Sequence, residues 1–105
     1  MSRQTIQLDD EVLAYVRDVS LRETDLQREL REVTADRERS QMQISAEQGQ
    51  FMTLLVELTG VDRALEIGTY TGYSAMSIVR GMREGGELIA CDVDAETTAV
   101  ARDFW

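Results

Sequence analysis

The sequence contains no histidine, no lysine and a single cysteine, Cys91. Without histidine, neither Ser-His or Cys-His nucleophilic machinery nor a His-ligated metal centre can be assembled from these residues. One cysteine excludes an internal disulfide, and its place in an apolar segment suggests a small buried residue rather than a nucleophile. The missing lysine rules out the Gly-Lys-Ser/Thr end of a phosphate-cradling P-loop. No apolar run approaches the roughly 18 residues of a membrane helix, and Met1 to Asp10 lack the charged-then-apolar pattern of a signal peptide, so a cytoplasmic location is expected. A Pro/Gly/Ser-rich linker and an internal repeat are also missing.

What is abundant is acid. Twenty Asp and Glu against 11 basic residues give a net charge of −9. That disfavours DNA, RNA and anionic membrane surfaces, each of which would add like-charge repulsion, so neither nucleic acid nor membrane is an expected partner. By itself the charge describes only a solvated surface. The 105 residues, 43% hydrophobic, suit one domain and not two. We read it as a helical preface over 1–60 followed by the start of an α/β unit over 61–105.

The preface is read from apolar spacing and capping signals. Leu8 to Ser20 carries Leu8, Val12, Leu13, Tyr15, Val16 and Val19 at near-helical spacing, with Asp9, Asp10 and Glu11 at the end where a helix dipole favours acids. Ser20 to Glu23 and Thr24 to Gln27 both fit the capping-box pattern, and a second helix is expected from about Asp25 to Ala35 with Leu26, Leu30 and Val33 inward. The mixed-charge run from Arg28 to Arg39 reads most simply as a solvated face and its trailing loop, with a binding patch as the less favoured alternative. Ser45 to Gln48 is a third capping box. Phe51, Leu54, Leu55 and Leu58 follow at i, i+3, i+4 and i+7, a stripe expected in the core, and Gly60 closes the helix. Gly49 inside it costs about 1 kcal/mol relative to alanine, which suggests a close packing contact.

The chain then turns around Ala64-Leu65-Glu66-Ile67-Gly68-Thr69-Tyr70-Thr71-Gly72-Tyr73-Ser74, a strand, a tight glycine loop and a helix start. Glycine permits backbone angles and a closeness of ligand approach that a Cβ would forbid, and unpaired amides at the helix start can seat a polar or anionic group. The dinucleotide fingerprint has three glycines as G-x-G-x-x-G, whereas this loop is E-x-G-x-x-x-G. A carboxylate at Glu66 repels phosphate and prefers a cationic amine, which points away from NAD. A helix with Thr71 as candidate cap and Ala75, Met76, Ile78, Val79 and Met82 as its stripe leads to a turn at Gly85-Gly86. A second strand, Glu87 to Asp92, ends in an acid placed to accept hydrogen bonds from two ribose hydroxyls. Asp94 then caps a last helix carrying Ala99, Val100, Ala101, Phe104 and Trp105. Taken singly, Glu66 also fits an exposed strand-end acid and Asp92 a helix cap; their joint spacing with Gly68 and Gly72 favours a nucleoside ligand.

Three segments, Met42 to Phe51, Leu65 to Ser74 and Cys91-Asp92, resemble the amino-terminal half of the class I S-adenosylmethionine-dependent O-methyltransferases of the caffeoyl-CoA and catechol type. The resemblance runs from about Leu8 to the end of the chain. It implies an α/β fold: amino-terminal helices plus the first β-α-β part of a Rossmann-like methyltransferase sheet, truncated, since a complete member has seven strands and about twice this length. It implies S-adenosyl-L-methionine as cofactor, with Met42, Ile44, Glu66, Gly68, Tyr70, Gly72, Ser74 and Asp92 as its binding residues. Glu66 would meet the amino-acid end of the cofactor, Ser74 its carboxylate and Asp92 its ribose. Met42 would touch the cofactor, although the residues alone also fit a methionine that plugs the helix–sheet junction. Ile44 stands where the family often has a hydroxyl residue, which leaves a backbone contact there. Tyr70 and Tyr73 would line the pocket or pack against the first helix.

The implied reaction is methyl transfer to a phenolic or catechol-type hydroxyl, assisted by a divalent metal, usually Mg²⁺. In the family its ligands are an Asp and an Asp-Asn pair far along the chain; this sequence has no asparagine. The chain alone is therefore expected to be inactive, and to self-associate as a homo-oligomer that covers its open sheet edge. The alternative is a helical dimerisation or interaction module without catalytic activity, its glycine loop a structural turn.

Overall fold

The computed structural model describes residues 7–105. The elements run α1 (Asp10–Ser20), α2 (Asp25–Ala35), a short 3₁₀ turn (Ser40–Met42), α3 (Ala46–Thr59), β1 (Arg63–Ile67), α4 (Tyr73–Gly81), β2 (Glu87–Cys91) and α5 (Ala95–Phe104). The expected α/β class is the observed one: five helices about a two-stranded parallel sheet.

Each helix start has a chemical cause, though not always the expected one. Helix α1 begins two residues after Leu8, because the Asp9 carboxylate caps it by accepting the Val12 amide at 2.8 Å. Thr24 and Gln27 form the expected capping box, each side chain accepting the other's amide at 3.1 Å. Ser20 does not cap, since its hydroxyl donates back to the Val16 carbonyl. Ser45 caps α3, and Gly60 ends it in the left-handed region at φ 65°. Thr71 does not cap α4; Gly72 occupies that position at φ 93°, where a Cβ would be strained. Asp94 caps α5 by accepting the Glu96 and Thr97 amides.

Which faces are buried departs from the periodicity reading in three places. On α2 the inward residues are Gln27, Leu30 and Thr34, while Leu26 and Val33 are each 44% exposed. On α3 the stripe of Phe51, Leu54, Leu55 and Leu58 faces outward, Leu58 being 74% exposed. The opposite face packs instead, because glycines allow α3 and α4 to approach closely. A Cβ on Gly49 would lie 2.6 Å from Ser77 Oγ, and one on Gly81 would lie 2.5 Å from the Thr53 carbonyl. Thr53 also donates to the Ser77 carbonyl at 2.7 Å. Close approach thus selects the small-residue face over the bulkier apolar one. The expected packing contact at Gly49 is therefore present.

The third departure is Cys91, which is exposed rather than buried. In the parallel register Leu65 pairs with Ile89 and Ile67 with Cys91, so strand alternation puts all four on the open face. Ala64, Glu66, Leu88 and Ala90 occupy the half-buried side. The core proper is Leu30, Ala46 and Tyr73, with Leu21, Ile44, Met76, Val100 and Phe104 packed around it. It lies beside the glycine loop.

Candidate functional site

The loop from Gly68 to Gly72 leaves β1 and turns into α4. Gly68 and Gly72 have φ of 92° and 93°, and Tyr70 between them is a non-glycine residue at φ 52°. Such a residue costs on the order of 1 kcal/mol unless its surroundings hold it. Two groups hold Tyr70. Its amide donates to Asp92 Oδ2 at 2.8 Å, and its hydroxyl donates to the Glu38 carbonyl at 2.9 Å.

Asp92, just past the end of β2, is a hub. Its Oδ2 accepts the Thr69 and Tyr70 amides, both at 2.8 Å, and its Oδ1 accepts the Asp94 amide at 2.9 Å. Those bonds, from Tyr70 and Asp94 first, hold its carboxyl below the usual aspartate range despite some desolvation. Asp92 is thus neither a free acid nor the cap of α5, a role that belongs to Asp94.

Glu66 behaves in the opposite way. Its Oε2 accepts the Ser74 hydroxyl at 2.6 Å, whereas its Oε1 is buried with no partner. Burial pushes its carboxyl above the usual range; the Ser74 hydrogen bond and the nearby Thr69 hydroxyl, itself turned to the Cys91 carbonyl, oppose that shift, and the Asp92 charge adds to it. A buried carboxylate oxygen without a donor is costly, so this one suits a donor that the described residues do not supply.

Two adjoining hollows flank the loop. The larger, about 540 Å³, is lined by Arg37, Glu38, Met42, Tyr70, Asp92 and Val93 among others. The narrower, about 90 Å³, is lined by Met42, Ile44, Gly68, Tyr70, Gly72 and Ser74 among others. Met42 and Tyr70 border both. Seven of the expected residues therefore meet at one cleft, while Glu66 borders neither hollow and reaches the cleft through Ser74. Met42 is 56% exposed and does not plug the helix–sheet junction. Tyr73 is buried, also borders the narrower hollow, and donates its hydroxyl to Glu23.

Periodicity missed the segment after α2. Arg37 donates to Glu96 of α5 at 3.2 Å, and Asp36 to Arg39 form a wall of the larger hollow. Mixed charge had marked this run as solvated; its nearness in sequence to Met42 was the only signal against that.

A family model described as O-methyltransferase matches residues 17–105. The chain belongs to the O-methyltransferase family. Among its relatives, caffeoyl-CoA O-methyltransferase 1 of Zea mays is 39% identical over 89 residues, covering 83% of this chain and 34% of that protein. Catechol O-methyltransferase domain-containing protein 1 of Mus musculus is 33% identical over 97 residues, covering 92% of this chain and 37% of its own length. The solved O-methyltransferase of Bacillus cereus, in complex with SAH, superposes with a TM-score of 0.81 at 32% identity, over 90% of this chain and 43% of its own. This O-methyltransferase-family chain thus spans well under half the length of these relatives. Among its described residues, no group of three acidic or cysteine side chains is placed to hold a metal ion. No helix among them is long and apolar enough to cross a membrane.

Proposed function

We propose that this chain carries the S-adenosyl-L-methionine-binding part of an O-methyltransferase acting on a phenolic or catechol-type hydroxyl. The observation that supports this reading best is the buried, donorless Oε1 of Glu66 behind the glycine loop, with Asp92 across the same loop. An ammonium group would supply the missing donor together with an opposite charge, which makes the stronger, charge-assisted hydrogen bond, whereas an anion would be repelled.

In this reading Glu66 binds the amino-acid end of the cofactor, and Gly68 leaves room for its methionyl chain. No atom lies within 4 Å of where a Gly68 Cβ would be. The free amides of α4 after Gly72 take the carboxylate, with Ser74 shared between that group and Glu66. Asp92 keeps its loop amides and offers its remaining lone pairs to the ribose hydroxyls. Met42 and Tyr70 form the apolar walls, and Ile44 offers a backbone contact. When bound, the sulfonium would supply an activated methyl group: an O–CH₃ bond would form as the S–CH₃ bond breaks, its electron pair staying on sulfur to leave a neutral thioether, and the acceptor hydroxyl would lose its proton.

Magnesium assistance enters through the family resemblance alone. The described residues do not fit a metal site. We further propose that the chain alone does not turn over, that it works in the cytoplasm, and that it self-associates to cover its open sheet edge.

Calorimetry with S-adenosylhomocysteine tests the reading: binding is expected, and its loss in Glu66→Ala and in Asp92→Ala would tie it to these acids. No binding by the parent chain sinks it. The exposed stripe of α3 favours one other reading, a helical interaction module. Unchanged self-association without any S-adenosylhomocysteine binding would support that alternative. Labelled S-adenosylmethionine with Mg²⁺ and a catechol addresses turnover; methylated product would refute the inactivity.

A further inference from the structure

The two residues on either side of Gly72 are each held by a side chain from the helical preface. Thr71 Oγ1 lies 2.8 Å from Thr34 Oγ1 on α2, and both residues are essentially inaccessible, at 1% and 0% exposure. Tyr73, 3% exposed, donates its hydroxyl to Glu23 Oε1 at 2.7 Å. Glu23 is itself fixed by a bidentate Arg31, at 2.9 and 3.1 Å. On the opposite side, a Gly72 Cβ would stand 2.9 Å from both Ala101 Cβ and Trp105 Nε1 of the α5 end. The start of α4 is therefore pinched between α5 and two directional hydrogen bonds from the preface.

Burial does not by itself require hydroxyls at positions 34 and 71. A pair of valines has nearly the same shape, and replacing both partners of a buried hydrogen bond by apolar groups is close to neutral in stability. What the hydroxyls add is direction. A bond at 2.8 Å fixes where Thr71 sits along α2, and with Tyr73 fixed as well, the left-handed Gly72 and the first free amides of α4 have one orientation.

We infer that Thr34 and Glu23 are positioning residues for the glycine loop, acting on the ligand through Thr71 and Tyr73 without touching it. The inference rests on the proposed role of that loop as a cofactor seat. It makes the preface part of the binding machinery, and predicts that loop order and affinity can be uncoupled from global stability.

The test compares the parent chain with Thr34→Val, Thr71→Val, the double variant and Thr34→Ser. Each is followed by melting temperature, hydrogen exchange over residues 66–76 and S-adenosylhomocysteine affinity. Each single valine leaves a buried hydroxyl unmatched and lowers the melting temperature. The double variant is expected to recover to within about 2 °C of the parent. Its loop amides should still exchange faster and its affinity stay about fivefold weaker. Thr34→Ser, which keeps the hydroxyl, should match the parent in loop exchange. A double variant with parental exchange and affinity would overturn the inference and leave α2 a packing element. Should the valine pair fail to fold, Glu23→Gln decides: faster exchange at Tyr73 and Ser74 supports the inference, and parental exchange overturns it. If the parent chain itself binds no S-adenosylhomocysteine, the cofactor reading fails, while the exchange comparison still decides what Thr34 does to the loop.

Discussion

Around the glycine loop polar side chains are buried alongside the apolar core; on the outer side of the same small fold large apolar ones stay exposed. Gln27, Thr34, Thr69, Thr71 and Ser77 are all at or below 4% exposure, whereas Phe51, Leu58, Leu65 and Ile67 range from 57% to 83%. The difference shows what selects a buried face in each region. Near the loop, matched hydrogen bonds make polar burial affordable, and small side chains let α2, α3 and α4 close on one another. On the outer side nothing among the described residues covers the apolar stripe, because the glycine face of α3 is the one engaged by α4.

The sharpest way to break that contrast is to truncate one leucine from each region. Leu30, fully inaccessible at the centre of the core, is expected to cost about 3 kcal/mol as Leu30→Ala, through lost burial and the cavity left behind. Leu58→Ala, at a site 74% exposed, should stay within about 0.5 kcal/mol. Urea denaturation of both variants measures the difference. Equal losses would mean that the stripe is covered in solution, by self-association or otherwise, and a concentration-dependent midpoint would identify the former.

Next in size are two glycines that the contrast separates. Gly81→Ala drives a Cβ to 2.5 Å from the Thr53 carbonyl, and backbone cannot yield as a side-chain tip can, so a loss of about 2 kcal/mol is expected even after the helix-propensity gain. Gly68→Ala meets no atom, and its cost is the left-handed φ of 92°, about 1 kcal/mol. Only the second should weaken S-adenosylhomocysteine binding more than it weakens the fold. Comparing denaturation midpoints with calorimetric affinities separates the two outcomes.

These cases also mark how far the sequence could be read. Capping chemistry is local, and the Thr24, Ser45, Gly60 and Asp94 boundaries were all legible from a few neighbouring residues. So were both strands and the positive-φ glycines of the loop. Face selection was not. Periodicity marks a stripe as apolar, but which face packs depends on the partner helix, and the contacts of Gly49 and Gly81 join residues far apart in the chain. The same limit hid the Thr34–Thr71 bond, 37 residues apart, and the Tyr70 bond to the Glu38 carbonyl. For the cleft, spacing pointed to Glu66, Gly68, Gly72 and Asp92 and the family resemblance to Met42 and Ile44, yet neither showed that Asp92 is already engaged by the loop amides.

Acid titration should set Glu23 against Glu66 with opposite signs. At Glu23 burial opposes ionisation, but Arg31 and the Tyr73 hydroxyl outweigh it, and the folded carboxyl titrates below the ordinary 4.5. Its contribution is complete above that value and is lost as pH falls through the lower folded value. At Glu66 burial raises the folded value above 4.5, so ionisation disfavours the fold. Stability there is complete below 4.5 and is lost as pH rises through the folded value. Glu23→Gln should therefore flatten the acid limb of stability below about pH 4.5. Glu66→Gln should stabilise the chain at pH 7 by on the order of 0.5 kcal/mol, and not at pH 4, while weakening ligand binding. Midpoints measured from pH 3 to 7 would reveal a shared sign, which would contradict the assigned environments.

The smallest effect lies on the open side. Arg63 and Glu87 face each other across the parallel strands at 3.4 Å, yet their side chains are 79% and 66% exposed. Water and salt screen such a pair, and holding two long side chains in place offsets most of the attraction. A double-mutant cycle to alanine should return a coupling below about 0.5 kcal/mol that vanishes in 0.5–1 M salt. The Arg31–Glu23 pair, with the Glu23 side chain only 6% exposed, should keep most of its larger coupling in the same salt. If both pairs faded together, desolvation would not be what distinguishes the loop side from the open side, and the contrast would reduce to side-chain composition alone.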